Sequence, residues 1–261
     1  MITNRGTMQK ESFKKPGLIN LLYSFLFIFF TFVPALAIEP KEIILRADEY
    51  RQPFRQMKVT SKLTSFHDNK VFKEATYEVL IKGNDRALVV AVDGGEKGQK
   101  VLMLNEGFWM RFPNSGRAIR ITPMQRLMGD ASYGDLGKMS WANDYRVVFH
   151  PEGGENKVGQ TPAWRLLLSS QKKSAVYEKI DLWVNKDNFQ PLQADFYLSS
   201  GKNFKRAKFG TPELKHGRFI ILETTFVDML NKKNHTVMKF QDLKEVDIND
   251  RIFNLTVFSD R

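Results

Sequence analysis

Short apolar segments with a two-residue period recur along most of this chain, and tight turns separate them. Residues 75–81 show the pattern, with Tyr77, Val79 and Ile81 on one side, and a Gly-Asn-Asp turn follows at residues 83–85. Such alternation places successive side chains on opposite faces of a strand. Tight turns between strands favour antiparallel pairing over parallel units with crossover helices. The chain is therefore predicted to be mainly β.

The pattern predicts about 11–12 strands between residues 57 and 258, the last of them at residues 252–258. One helix is predicted before them at residues 40–50, where Ile43 and Ala47 share a face. A sheet of so many strands must curl to cover its apolar face, so the expected architecture is a sandwich or a barrel. Periodicity alone leaves both open.

Residues 1–37 have the order of a secretion signal. Lysines at positions 10, 14 and 15 precede an apolar run at residues 18–33, and Ala35-Leu36-Ala37 supplies a small-residue cleavage site. The run is short for a helix that spans a bilayer, which needs about 20 apolar residues. We expect cleavage after Ala37 and a single mature domain of residues 38–261.

The mature chain is expected to be free in the periplasm or outside the cell. The sequence has no cysteine, so neither a lipid anchor at the cleavage point nor a disulfide is expected. The net charge is +11, and removal of residues 1–37, with four basic and one acidic side chain, leaves +8. Such an excess of positive charge suits binding to an acidic membrane surface or to nucleic acid, and export from the cytoplasm argues against nucleic acid. Peripheral membrane contact remains an expectation.

Six basic residues cluster across two neighbouring predicted strands and their turn. We expect them to form a solvated sheet face; the alternative is electrostatic contact with anionic lipid headgroups or an acidic partner, which salt would weaken. The six residues are Lys202, Lys205, Arg206, Lys208, Lys215 and Arg218.

Sequence motifs for catalysis are missing, so no enzyme activity, cofactor or metal site is predicted. The chain has no HExxH, no GxSxG and no cysteine nucleophile, and its four histidines fall at predicted turns or strand ends at no ligand spacing. We expect these histidines to be solvated. Asp130 and Asp135 raise the alternative of a hydrolase with an acid and base pair. Their simpler interpretation is that they cap or turn the chain.

The irregular segment at residues 123–145 interrupts the strands and is rich in methionine and aromatic residues. Methionine is flexible and polarisable, so a methionine-rich surface can repack around ligands of different shape. The same side chains could equally fill the core. Together with the strand at residues 107–112, they are the candidate ligand-contacting group.

Three sequence blocks carry a resemblance to a known family. Residues 107–113 (GFWMRFP), 117–123 (RAIRITP) and 128–136 (MGDASYGDL) resemble the central signature of the outer membrane lipoprotein-sorting protein family, the LolA-like proteins. The resemblance continues through residues 181–184, 191–197 and 225–228 and so covers nearly all of the mature chain.

The resemblance implies a strongly curved antiparallel sheet that forms an unclosed barrel, with short helices as a lid over an apolar cavity for acyl chains. It also implies a periplasmic carrier without catalytic residues or cofactor, which moves lipoprotein or lipid cargo between an inner-membrane transporter and the outer membrane. The alternative is a non-enzymatic accessory or scaffold protein of an envelope transporter. The residues expected to line the cavity and lid are Trp109, Phe112, Met124, Leu127, Met128, Tyr133, Met139 and Trp141.

Overall fold

The computed structural model describes residues 38–122, 126–128, 131–137, 140–153, 156–172, 175 and 177–259. The first half contains α1 (Pro40–Glu49), β1 (Gln56–His67), β2 (Lys70–Lys82), β3 (Arg86–Ala91), β4 (Lys100–Leu104), β5 (Gly107–Arg111), β6 (Ile119–Ile121), β7 (Arg126–Met128), β8 (Ala131–Ser132), α2 (Tyr133–Gly137) and α3 (Trp141–Asp144). The second half contains β9 (Tyr145–Phe149), β10 (Lys157–Val158), β11 (Thr161–Ser170), β12 (Lys179–Asn185), β13 (Pro191–Tyr197), β14 (Asn203–Phe209), β15 (Glu213–Lys215), β16 (Arg218–Ile220), β17 (Glu223–Asp228), β18 (His235–Glu245) and α4 (Leu255–Ser259). Two 3-10 turns lie at Gly94–Glu96 and Asp250–Phe253.

Fourteen of the described strands form one antiparallel sheet. Its order from one edge is β6, β5, β4, β3, β2, β1, β18, β17, β14, β13, β12 and β11, and both β9 and β10 pair with β11 at the other end. The long strands β1 and β18 join the two halves, with Leu63 opposite Met238. In the described part of the chain the two end regions of the sheet do not pair with each other. The prediction of a mainly β, unclosed antiparallel sheet with few short helices is confirmed.

The inner face of the sheet packs against the helices. In β1 to β4, side chains such as Val59, Val79 and Met103 alternate into one large apolar core. Helix α1 adds Ile43 and Ile44 to the same core. Its apolar residues recur at helical spacing, and Pro40 starts the helix where its missing N–H costs nothing. The helical layer therefore covers the inner face.

The outer face of β2 to β5 carries a second apolar cluster, which the C-terminal segment covers. Phe253 and Phe258 pack there with Leu102. The predicted strand at residues 252–258 is wrong: this segment is a 3-10 turn followed by α4. Asn249 and Asn254 accept hydrogen bonds from backbone N–H groups two and three residues further on, at 2.9 and 3.1 Å. Such Asn caps start helical turns, and they override the apolar alternation.

Trp109 belongs to this outer cluster, and its ring lies over Gly107. A Cβ atom at position 107 would overlap the indole ring. We therefore expect Gly107→Ala to displace Trp109 and to lower the free energy of unfolding by about 1–3 kcal/mol, the usual cost of overpacking. Urea unfolding measures the change. Gly116→Ala is the matched control, because a Cβ at position 116 meets no atom within 4 Å. Equal effects of the two substitutions would contradict this packing.

Candidate functional site

A cleft lies between the inner face of the sheet and the helical layer. Its walls are mainly aromatic and aliphatic, with a few polar groups at the helical side. The lining residues are Arg51, Gln52, Met57, Ile81, Asp135, Leu136, Gly137, Phe196, Phe209, Ile221, Thr224, Phe226, Met238 and Phe240. Apolar walls with a small number of placed polar groups are typical of a ligand pocket.

The cleft is narrow in this conformation. Its free volume is about 30 Å³, whereas ligand pockets commonly measure roughly 300–1,000 Å³. The cleft thus has room for a few water molecules and not for an acyl chain. An elongated ligand requires a wider cleft than this conformation provides.

Helix α2 contributes Asp135, Leu136 and Gly137 to the wall of the cleft. It starts with reciprocal hydrogen bonds: the Ser132 backbone N–H donates to Asp135 Oδ2 at 2.8 Å, and the Asp135 N–H donates to Ser132 Oγ at 3.2 Å. This arrangement is a capping box. At its other end, a Cβ at Gly137 would lie 3.2 Å from the Ala87 Cβ. The end of α2 therefore rests directly on β3.

A buried ion pair connects α2 to the sheet. Lys205 Nζ on β14 lies 2.6 Å from Asp135 Oδ2, and the two side chains are 3% and 0% exposed. The Tyr177 hydroxyl donates to Asp135 Oδ1 at 2.7 Å and also contacts the Lys205 ammonium. Burial, and next the Asp135 charge, raises the pKa of Tyr177 well above its usual value. The tyrosine therefore remains a hydroxyl donor.

Aromatic rings surround the Lys205 ammonium. Its nitrogen lies 4.6 Å from the ring centroid of Tyr177, 5.0 Å from that of Phe196 and 4.7 Å from that of Phe226. Cations within about 6 Å of a ring centroid are attracted by the ring quadrupole. Phe196 and Phe226 also line the cleft. Two of the rings beside the Lys205 ammonium, on β13 and β17, therefore belong to the sheet, and Tyr177 precedes β12.

A second polar group joins α1 to α3. Asp48 Oδ2 accepts hydrogen bonds from the Ala142 N–H at 2.9 Å and the Ser140 hydroxyl at 3.2 Å, and Asp48 Oδ1 lies 3.3 Å from Arg51. Burial raises the pKa of Asp48, and Arg51 opposes the shift. Burial likewise lowers the pKa of Arg51, whose guanidinium lies 3.9 Å from the Trp141 ring centroid. These contacts hold α1 and α3 together.

The structure brings only part of the predicted site together. Tyr133 and Trp141 are buried in the inner core, on α2 and α3. Trp109 was expected to face the lid; instead it belongs to the outer cluster, because its neighbours Phe108 and Met110 take the inward positions of β5. Phe112 was expected beside it, but it is 43% exposed. Leu127 and Met128 lie on β7, where only the backbone is described, and Met124 and Met139 lie outside the described residues.

The prediction missed the residues that do line the cleft, chiefly Phe196, Phe226 and Met238. They lie on β13, β17 and β18, far in sequence from the irregular segment. Alternation alone shows that each belongs to one face of a strand, but several strands are apolar on both faces. The sequence therefore offered no signal for which face borders the cleft.

The polar residues singled out in the sequence have mixed outcomes. Asp130 lies outside the described residues, and Asp135 is in the buried ion pair. The expectation of four solvated histidines is wrong for His150, which is buried 3.5 Å from Asp181. The expected solvated basic face does not include Lys205, which is buried and points inward instead.

Among the described residues, no group of three or more His, Asp or Glu side chains could hold a metal ion. No helix in the described part of the chain is long and apolar enough to cross a membrane.

A family model with the description "Uncharacterized protein" matches residues 83–260. The chain is similar to a LolA superfamily protein from Nitrosomonas europaea, with 28% identity, a TM-score of 0.76, and coverage of 84% of this chain and 98% of that one. No curated protein matches the chain by sequence.

Two further solved structures share the fold. A DUF1329 family protein from Desulfovibrio piger has 20% identity and a TM-score of 0.70, with coverage of 84% of this chain and 99% of that one. A structure described as an outer membrane lipoprotein-sorting protein domain, from Vibrio parahaemolyticus, has 16% identity and a TM-score of 0.68, with coverage of 84% and 98%. These two similarities concern the fold alone.

Proposed function

The chain belongs to the family whose model matches residues 83–260 and resembles the LolA superfamily in structure, and we propose that it is a non-enzymatic carrier of acyl chains in the periplasm. The observation that carries this proposal is the apolar cleft between the inner face of the sheet and the helices. Burial of one methylene group is worth about 0.8 kcal/mol, so a 16-carbon chain gains roughly 12 kcal/mol when it leaves water. A carrier supplies that burial during transit.

The proposal also includes export of the protein from the cytoplasm and transfer of its cargo between the two membranes. Residues 1–37 act as a cleaved signal peptide, and the mature domain receives lipoprotein or lipid cargo from an inner-membrane transporter and delivers it toward the outer membrane. Cargo release requires that bound and empty states have similar free energies. Closure of the helical layer on the empty cleft would lower the free energy of the empty state, because re-formed helix contacts compensate for the lost acyl contacts.

A second candidate is an accessory or scaffold protein of an envelope transporter that binds no cargo. The narrowness of the cleft favours it, since a free volume of about 30 Å³ means that side chains fill most of the interior. The two candidates differ in one measurable property: the carrier opens in the presence of an acyl ligand, and the scaffold remains filled.

Acyl binding by cleft variants tests the carrier proposal. Met238 lines the cleft, and Gln has a similar size but adds an amide that an acyl chain cannot satisfy. A buried amide without a partner costs about 1–3 kcal/mol, so Met238→Gln should weaken binding of a fluorescent fatty acid roughly 10-fold or more. Met229→Gln, just after β17 and outside the cleft, should leave binding unchanged. If wild type binds no acyl probe, or if both variants bind equally to wild type, the proposed cleft is wrong.

A further inference from the structure

Two hairpin turns at one end of the sheet form an exposed surface that is both apolar and basic. It comprises residues 67–72, around the turn from β1 to β2, and residues 230–233, in the turn from β17 to β18, and is called the tip surface below. Because β1 and β18 are adjacent antiparallel strands, the end of β1 lies beside the start of β18. We propose that the tip surface docks the protein on an anionic lipid bilayer. This inference goes beyond acyl binding in the cleft and does not depend on it.

Large apolar side chains of the tip surface face solvent. Phe72 is 67% exposed, and Val71 and Leu230 are each 61% exposed. A single exposed apolar residue is ordinary on a protein surface, whereas a group of them marks an interaction site. The three side chains therefore identify this end of the sheet as a contact surface.

Hydrogen bonds join the two turns into one surface. The Asn69 backbone N–H donates to the Lys233 carbonyl oxygen at 3.1 Å. The Asp68 backbone N–H donates to the Asn234 side-chain oxygen at 3.3 Å. The apolar side chains of both turns are therefore presented together.

An irregularity in the first hairpin orients Phe72. The register of β1 and β2 shifts after Ser65, so Phe72 has no residue directly opposite it on β1. A bulge of this kind redirects a side chain out of the regular alternation of a strand. The Phe72 ring stacks on the His67 ring, with 4.9 Å between the two centroids. The largest apolar group of the surface thus has a defined exposed position.

The tip surface carries positive charge beside its apolar groups. Lys70, Lys232 and Lys233 are exposed, and Asp68 is the one acidic residue within residues 67–72 and 230–233, so three positive charges and one negative leave +2. At a membrane interface, apolar side chains enter the boundary between headgroups and acyl chains while lysines contact anionic headgroups. The composition of the tip surface matches that arrangement.

A bilayer suits this surface better than a protein partner does. Stable protein interfaces bury about 1,200–2,000 Å² in total, more than two short turns supply. Peripheral membrane binding requires only a few inserted apolar side chains and nearby basic residues. In a symmetric dimer the same patch of both copies would meet, so lysines would face lysines and repel each other. An anionic bilayer complements both properties of the surface.

Sedimentation with lipid vesicles tests the proposal. We expect the mature wild-type chain to bind vesicles of equimolar phosphatidylcholine and phosphatidylglycerol at least roughly 10-fold more tightly than vesicles of phosphatidylcholine alone, because the lysines are attracted to anionic lipid. High salt should weaken this preference, since it screens exposed charges.

Two variants of the tip surface should each weaken binding to the anionic vesicles roughly 10-fold. Phe72→Ser removes the largest apolar group. Its control is Phe219→Ser on β16, which is 59% exposed in a different hairpin and should bind as wild type does. Lys232→Ser/Lys233→Ser removes two positive charges. Lys208→Ser/Lys244→Ser removes the same charge from exposed positions elsewhere and should have a smaller effect.

Three results would overturn the membrane site. If wild type binds no anionic vesicles, an acidic protein becomes the partner that the charge of the surface favours. If Phe219→Ser weakens binding and Phe72→Ser does not, the β15–β16 hairpin is the contact instead. If wild type forms a dimer in sedimentation velocity that Phe72→Ser dissociates, the surface binds a second copy. Acyl binding is measured without vesicles, so none of these results alters the carrier proposal.

Discussion

Asp135→Ala is expected to lower the free energy of unfolding by about 3–5 kcal/mol, because it removes the carboxylate member of the buried ion pair with Lys205. The substitution also removes the capping box of α2 and the acceptor of the Tyr177 hydroxyl. For a domain of this size, such a loss corresponds to a melting temperature roughly 6–20 °C lower. Urea and thermal unfolding of the mature chain measure both quantities.

Two further variants separate the buried charge from general damage to the fold. Asp135→Asn/Lys205→Met should recover most of the loss, since replacing both members of a buried ion pair by neutral groups is often close to neutral in stability. Glu213→Ala, which breaks the exposed pair with Lys215, should cost at most about 1 kcal/mol. The interpretation is contradicted if Asp135→Ala costs no more than Glu213→Ala, or if the double variant is as unstable as the single one.

A disulfide between α2 and β3 is expected to abolish acyl binding. In Ala87→Cys/Gly137→Cys the two Cβ positions lie 3.2 Å apart, slightly below the usual disulfide range of about 3.5–4.5 Å. The native chain has no cysteine, so this bond would be the only one. Oxidation should hold the end of α2 on the sheet and keep the cleft at its narrow volume, while reduction of the same sample should restore binding. Titration of a fluorescent fatty acid before and after reduction measures the effect.

The control for this experiment is a disulfide that does not restrain the cover. Lys62 on β1 lies directly opposite Thr76 on β2, so Lys62→Cys/Thr76→Cys joins two strands of the sheet and leaves α2 free. Its oxidised form should bind the fatty acid like wild type. Full binding by oxidised Ala87→Cys/Gly137→Cys would show that ligand entry does not require movement of α2.

The sequence predicted the strands well because tight turns and two-residue alternation are local properties. Residues 56–82 form the longest hairpin of the sheet as the alternation indicated. The irregular segment was harder: it contains two short helices, α2 and α3, whose start and position depend on polar contacts. Asp135 was expected to cap or turn the chain, and it does belong to a capping box. Its partner Lys205 is 70 residues away in sequence, and no local pattern links the two.

The main error in the predicted site was the choice of which strand face borders the cleft. On β4, Val101 and Met103 face the inner core while Leu102 faces the outer cluster, and all three are buried. With apolar side chains on both faces, alternation does not show which face borders the cleft. The outer cluster exists because the C-terminal segment returns to cover it. Trp109 lies between the inward residues Phe108 and Met110, so strand alternation places it in this outer cluster.

The central claim is that the mature domain carries an acyl ligand, and native mass spectrometry with lipid extraction tests it most directly. The sample is the chain from Ile38 onward, purified from the periplasm of its own host. The account predicts a co-purified acyl species at close to one molecule per chain. A mass that corresponds to the protein alone, unchanged after incubation with fatty acid, lipid and acylated peptide, would contradict the carrier function.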